Sequence, residues 1–265
     1  MKNNIVYRIR LKDILLTSIN SFILFKYNID FWKFITYFLV ILFFNFFIFL
    51  FNDLKDANYD FHDLKKRKRN IFLDKKFKKF GFYITVLSSF FIFLIGAYGG
   101  YVLLFFGSLL FLLAYNYSSG IRAKNKPFLD LLAHGLWPVL IFITGFIYLK
   151  IPLSFKELWF ISFSFCLSVI GELFQELRDY NVDLKTNEKT SVVTFGKRFS
   201  RNMIKVLFFI VNLSFFVFSR NFLYFLPFLF AYFVLILNND FKHYNRSTLI
   251  RNIYAVSFSI LFVIY

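Results

Sequence analysis

The chain has 265 residues, 58% of them apolar and 24% aromatic with 45 Phe, and its 32 Lys and Arg against 15 Asp and Glu leave it at +17. A soluble domain of this length buries its core with fewer apolar residues, and here they arrive in nearly charge-free blocks of about 17 to 22, each able to cross a bilayer. Soluble enzymes and nucleic-acid binders are thereby excluded, and the single cysteine, Cys166, excludes a disulfide framework and a thiolate metal site.

Taken in chain order, apolar runs bounded by charge predict membrane spans at 13–28, 31–52, 80–97, 99–116, 128–148, 156–177, 203–219, 221–238 and 248–265. The first follows Lys2, Arg8, Arg10 and Lys12 as a signal peptide's apolar region does, but it lacks a small-x-small cleavage site and reads as a retained span. With the N-terminus inside, 27 of the 32 basic residues fall in inner segments and 5 in outer ones, so the expected orientation is N-terminus in and C-terminus out. The same basic face attracts anionic lipid head groups.

The acids do not follow that rule. Nine of the 15 lie at the ends of the second and sixth spans: Asp53, Asp56, Asp60 and Asp63, and Glu172, Glu176, Asp179, Asp183 and Glu188. NDLKDANYD at 52–60 and QELRDYNVD at 175–183 share one pattern: amide, acid, Leu, base, Asp, x, Asn, x, Asp. If the helices continue past the membrane surface, Asn52, Asp56 and Asp60 share one face, and Gln175, Asp179 and Asp183 share another. Like charges at i, i+4 repel unless a cation sits among them. Hard oxygens so arranged suit Mg²⁺, which takes one or two carboxylates, waters and phosphate oxygens. A lone DxxxD is most often a set of ordinary surface charge pairs; two matched copies with amides at the same offset are not.

The first segment resembles in full the NDxxDxxxD motif of the UbiA superfamily of intramembrane prenyltransferases, and the second resembles that family's DxxxD motif. Asn187, Glu188, Lys189 and Thr190 stand where the family often has Gly-x-Lys-Thr, Asn being a residue that tolerates a left-handed backbone. YSSGIRAKNKPFLDLLAHG at 117–135 resembles the YSxPPxRxKxRPxxD stretch of the branch that includes carotenoid (lycopene) elongases, one residue short but with Arg122, Lys124, Lys126, Pro127 and Asp130 in step. Many members carry Arg-Pro after the first motif; this chain reads KKRKRN at 65–70, leaving Arg67, Lys68 and Arg69 as alternatives for the family's arginine.

The resemblance implies an all-α polytopic fold, nine transmembrane helices around a central cavity in one domain over 1–265, with the active site facing the cytoplasm. It implies Mg²⁺ held by Asn52, Asp53, Asp56, Asp60, Gln175, Asp179 and Asp183, the aspartates at 56, 60, 179 and 183 being catalytic. Arg67, Arg122, Lys124 and Lys189 are the expected contacts to the diphosphate. The implied reaction moves a prenyl group from an isoprenoid diphosphate to a lipophilic acceptor in the membrane of the cell, with no nucleic acid involved and the oligomeric state open. Two rivals are phosphoribosyl transfer to a polyprenyl phosphate on the same scaffold, and a cation transporter, which predicts acids near the bilayer midplane rather than at one surface beside Lys and Arg.

Other polar groups lie in the spans. Asn45 lies seven residues before Asn52 and Glu172 seven before Asp179, so each continues the face of its motif; Glu172 is either an acceptor-binding group or base, or an interhelical hydrogen-bond partner. Asp130 and His134, one turn apart, are expected to satisfy each other.

Overall fold

The computed structural model describes residues 5–219, and within these it is built of helices α1 (Ile5–Arg8), α2 (Leu11–Ile19), α3 (Phe31–Lys55), α4 (Ala57–Asp60), α5 (Leu64–Arg69), α6 (Lys78–Gly99), α7 (Tyr101–Ser118), α8 (Leu129–Tyr148), α9 (Phe155–Lys185) and α10 (Ser191–Ser219). A 3-10 helix covers Asn20–Tyr27, and single 3-10 turns cover Ile71–Leu73 and Ala123–Asn125. The described residues divide into two compact units, one of residues 5–123 and 139–154 and the other of 124–138 and 155–219, so that α8 contributes its first half to the second unit and its remainder to the first.

In the first unit α3 is the hub, packed against α2, α6 and α7. Asp30 caps its N-terminus by accepting from the Lys33 amide at 2.8 Å. Phe34, Tyr37, Val40, Ile41, Phe44, Phe47 and Ile48 are buried at the three- and four-residue spacing of one wide helix face. Between α6 and α7 the backbones approach through small residues: a Cβ on Gly96 would meet the Leu104 Cα at 3.2 Å, the close contact that glycine permits between membrane helices. In the second unit α9 runs 31 residues, about 46 Å at the α-helical rise and longer than a hydrocarbon core. Gly135 of α8 receives the Phe165 ring of α9, which a Cβ there would strike at 2.4 Å. Gly196 (φ 83°, ψ 159°) breaks α10 into a first turn and a long second segment.

Five described helices, α3, α6, α7, α8 and α9, are long and apolar enough to cross a membrane, matching the expected spans at 31–52, 80–97, 99–116, 128–148 and 156–177. The expected span at 13–28 is not one α-helix: α2 stops at Ile19 and a 3-10 helix continues directly from Asn20 to Tyr27. The hydroxyls of Thr17, Ser18 and Ser21 explain the change, because they compete for backbone carbonyls, Ser18 bonding Ile14 O and Ser21 bonding Ser18 O. The expected span at 203–219 is the later part of α10, and those at 221–238 and 248–265 lie outside the described residues.

Candidate functional site

The first motif lies where α3 ends. Asp56 takes φ −91°, ψ 0° and interrupts the helix between Lys55 and Ala57. The expected single face of Asn52, Asp56 and Asp60 therefore does not form on one unbroken helix. Instead each residue acquires its own neighbour. Asn52 Oδ1 accepts from the Ser118 hydroxyl at 2.9 Å, which ties the motif to the end of α7. Asp53 is buried, its Oδ1 3.3 Å from Arg10 Nη1, while its Oδ2 accepts no hydrogen bond among the described residues. Asp60 Oδ2 accepts from Asn70 Nδ2 at 2.8 Å. Burial pushes the Asp60 carboxyl above its ordinary range, opposed by the Asn70 hydrogen bond and by the charges of Lys66, Arg69 and Arg10.

Arg122 reaches this motif from 63 residues away. Its Nη1 donates to the Tyr59 hydroxyl at 2.8 Å and its guanidinium lies 4.5 Å from the Tyr59 ring centroid, on a backbone turned left-handed at φ 54°. The three cations after the motif separate. Arg69 acts electrostatically on both Asp53 and Asp60, whereas Arg67, the expected phosphate contact, stacks 4.2 Å over Phe61 and lines a cavity together with Lys68.

The second motif, in the other unit, is helical throughout, so Gln175, Asp179 and Asp183 do share one face of α9. Asp179 is buried and takes a two-pronged contact from Arg178, Nε to Oδ1 at 2.6 Å and Nη2 to Oδ2 at 2.8 Å. Beyond it the chain turns at Asn187 with φ 56°, the left-handed conformation expected of a residue in the glycine position. The turn brings the Lys189 amide onto Asn125 Oδ1, so Lys189 sits beside the 3-10 turn that carries Lys124.

Two sequence expectations in this unit change. Asp130 does not pair with His134. Its carboxylate accepts from the Ser191 amide and the Ser191 hydroxyl, both at 2.6 Å, and Glu176 Oε2 accepts from the Val192 amide at 2.9 Å. His134 turns to α9, where its Nε2 is 3.0 Å from Glu172 Oε2 and its Nδ1 is 3.1 Å from Ser168 Oγ. Glu172 thus takes the interhelical pairing. Asn45 donates to Ser18 Oγ at 2.9 Å. Sequence reasoning missed Arg10, Tyr59 and Asn70. Tyr59 was visible inside the motif, but nothing local marked Arg10 or Asn70.

Among the described residues no three His, Cys, Asp or Glu side chains cluster as a ready-made metal site. The donor set nevertheless fits Mg²⁺, an ion that takes few protein carboxylates and completes its shell with water and phosphate. The motif oxygens are hard donors, and Asp53 Oδ2 is buried without a hydrogen bond.

A sequence model of the UbiA prenyltransferase family matches residues 14–258. No curated protein matches the sequence. Among solved structures, a UbiA homolog from Archaeoglobus fulgidus bound to GPP and Mg²⁺ superposes with a TM-score of 0.78 at 19% identity, over 98% of this chain and 96% of that one. The same organism's UbiA homolog bound to DMAPP and Mg²⁺ gives 0.74 at 16% identity, over 97% and 98%. A third structure of a UbiA homolog from Archaeoglobus fulgidus gives 0.71 at 16%, over 98% and 96%. At these identities the likeness establishes the fold.

Proposed function

The chain belongs to the UbiA prenyltransferase family, and from that premise we propose that it carries out Mg²⁺-dependent transfer of a prenyl group from an isoprenoid diphosphate to a lipophilic acceptor within the membrane. The observation that carries the reading is the meeting of the third matching segment with the first motif: Arg122 on Tyr59 and Ser118 on Asn52, across 63 and 66 residues of chain. A cation is thereby held beside an acidic motif, the pairing that a metal diphosphate requires. The two homolog structures described as bound to GPP or DMAPP with Mg²⁺ support the donor class.

In this mechanism Asn52, Asp53, Asp56 and Asp60 of the first motif and Gln175, Asp179 and Asp183 of the second supply oxygen ligands. Bound Mg²⁺ would neutralise charge on the departing diphosphate. Arg122, Arg69, Lys124 and Lys189 contact phosphate oxygens, Arg69 taking the role expected of Arg67. The allylic C–O bond breaks with its electron pair leaving on diphosphate. The acceptor then bonds to the allylic carbon and sheds its proton. Positioned charge of this kind is the largest source of rate in such a step. The active site faces the cytoplasm, where the basic segments lie by the topology rule, and the third segment favours a carotenoid-type acceptor.

Membranes incubated with Mg²⁺ and radiolabelled geranylgeranyl or farnesyl diphosphate should pass label to an extractable lipid. Asp56→Ala and Asp179→Ala should each abolish that transfer while the protein still inserts; full activity in either variant removes the metal assignment. Comparing the lipids of a host with and without the gene then identifies the acceptor.

A further inference from the structure

A second basic site stands on the first unit, with none of the carboxylates of the first motif in its lining. It is a cavity of about 490 Å³ lined by Arg8, Leu64, Arg67, Lys68, Leu73, Asp74 and Lys75. Its one acid is already engaged: Asp74 Oδ2 lies 2.9 Å from Arg8 Nη2, and Asp74 Oδ1 accepts from the Lys76 amide at 2.9 Å. Arg67, Lys68 and Lys75 therefore leave the cavity with an excess of positive charge. Two features show that it is built rather than a chance meeting of surface lysines. Arg8 is 9% exposed, and its Nε is buried with no hydrogen-bond partner among the described residues, a donor that burial makes costly to leave unmet. Arg67 is fixed over the Phe61 ring. Like charges gathered this way repel and gain nothing until an anion enters. Neither Asp53 nor Asp60 lines the cavity, and Arg69, two residues from Arg67, is among the cations that act on them.

We propose that this cavity binds a phosphate group, the head group of an acidic membrane phospholipid being the occupant that its exposed apolar lip at Leu64 favours. Arg67 belongs to this site rather than to the prenyl diphosphate. Phosphate oxygens would accept from the guanidinium groups and ammonium groups together, and Leu64 and Leu73 would meet the start of the acyl region.

The test uses the purified full chain in neutral detergent with no prenyl diphosphate present, so its outcome is independent of transferase activity. The unfolding midpoint is followed against phosphatidylglycerol, phosphatidylcholine and inorganic phosphate. Phosphatidylglycerol should raise the midpoint saturably and phosphatidylcholine should not. A Lys68→Gln/Lys75→Gln variant, altered only at exposed positions, should weaken phosphatidylglycerol binding about tenfold through the loss of two charged contacts. The Arg67→Gln single variant should weaken it as well, and serves if the double variant does not fold. A response to inorganic phosphate equal to that of the lipid keeps the site and assigns it a soluble phosphate. No response to either phosphate, or a response that the variants keep in full, overturns the proposal.

Discussion

Asn70 is the residue on which the first motif's geometry turns. It is 1% exposed, and its Nδ2 donates both to the Asp53 carbonyl at 2.6 Å and to Asp60 Oδ2 at 2.8 Å, while its Oδ1 accepts from the Phe72 amide at 2.9 Å. It ends the KKRKRN run, where the family pattern expects Arg-Pro; a proline has no side-chain amide to donate. Asn70→Ala leaves buried acceptors unmet and should cost about 1–3 kcal/mol in unfolding free energy, read from denaturant titration in detergent. A loss below a few tenths would show that Asp60 is held by something else. The sequence made Asn187's left-handed turn legible, because the position matched a glycine and Asn tolerates positive φ. It did not reveal Asn70 or Arg10 as partners of the motif, because their contacts to Asp60 and Asp53 span 10 and 43 residues and leave no local pattern. His134 adds a further point of chemistry. The Ser168 hydroxyl donates to the His134 carbonyl at 2.8 Å, so Nδ1 is the donor in its contact with Ser168.

At the scale of elements, the start of α10 shows why side-chain spacing alone misplaced Asp130. Helix first-turn amides need acceptors. Here the Ser191 and Val192 amides find them on Asp130 of α8 and Glu176 of α9 rather than on a local cap. The i, i+4 relation of Asp130 to His134 was real, but the orphan amides 61 residues on were the stronger claim on the carboxylate. Asp130→Ala should destabilise by about 1–3 kcal/mol, since it strands a buried amide and a hydroxyl, and Asp130→Asn should lose less because its carbonyl still accepts. Thermal unfolding of the two variants side by side checks this; equal losses would assign the role to charge rather than to hydrogen bonding. The two motifs differ at this scale as well. α9 continues unbroken through its copy of the pattern and α3 does not, and the residue types at Lys55–Asp56–Ala57 do not announce the interruption.

For the whole molecule, apolar length was the most legible signal, because the energetic penalty for burying charge in hydrocarbon shapes every span. Five expected spans became five long apolar helices. At 13–28 apolar length pointed to one helix where the structure has two types in succession, α2 and the 3-10 helix from Asn20 to Tyr27. The basic distribution predicts an inside N-terminus, and the single cysteine makes the test direct. In a Cys166→Ser background, Lys76→Cys should be labelled by a membrane-impermeant thiol reagent only after the cytoplasmic face is opened, and Lys150→Cys should be labelled in intact cells. The reverse pattern would invert the orientation and place both motifs outside.

The junction of α6 and α7 consists of Gly100 alone, at φ 100° and ψ 175°, flanked by Tyr98 and Tyr101 with 87% and 85% exposure. Aromatic residues of this kind settle at the boundary between acyl chains and water. A one-residue link leaves no extended strand of backbone for a protease to thread into its cleft. Digestion of intact membranes from that side should therefore leave α6 and α7 together in one fragment on a gel, whatever else is cut.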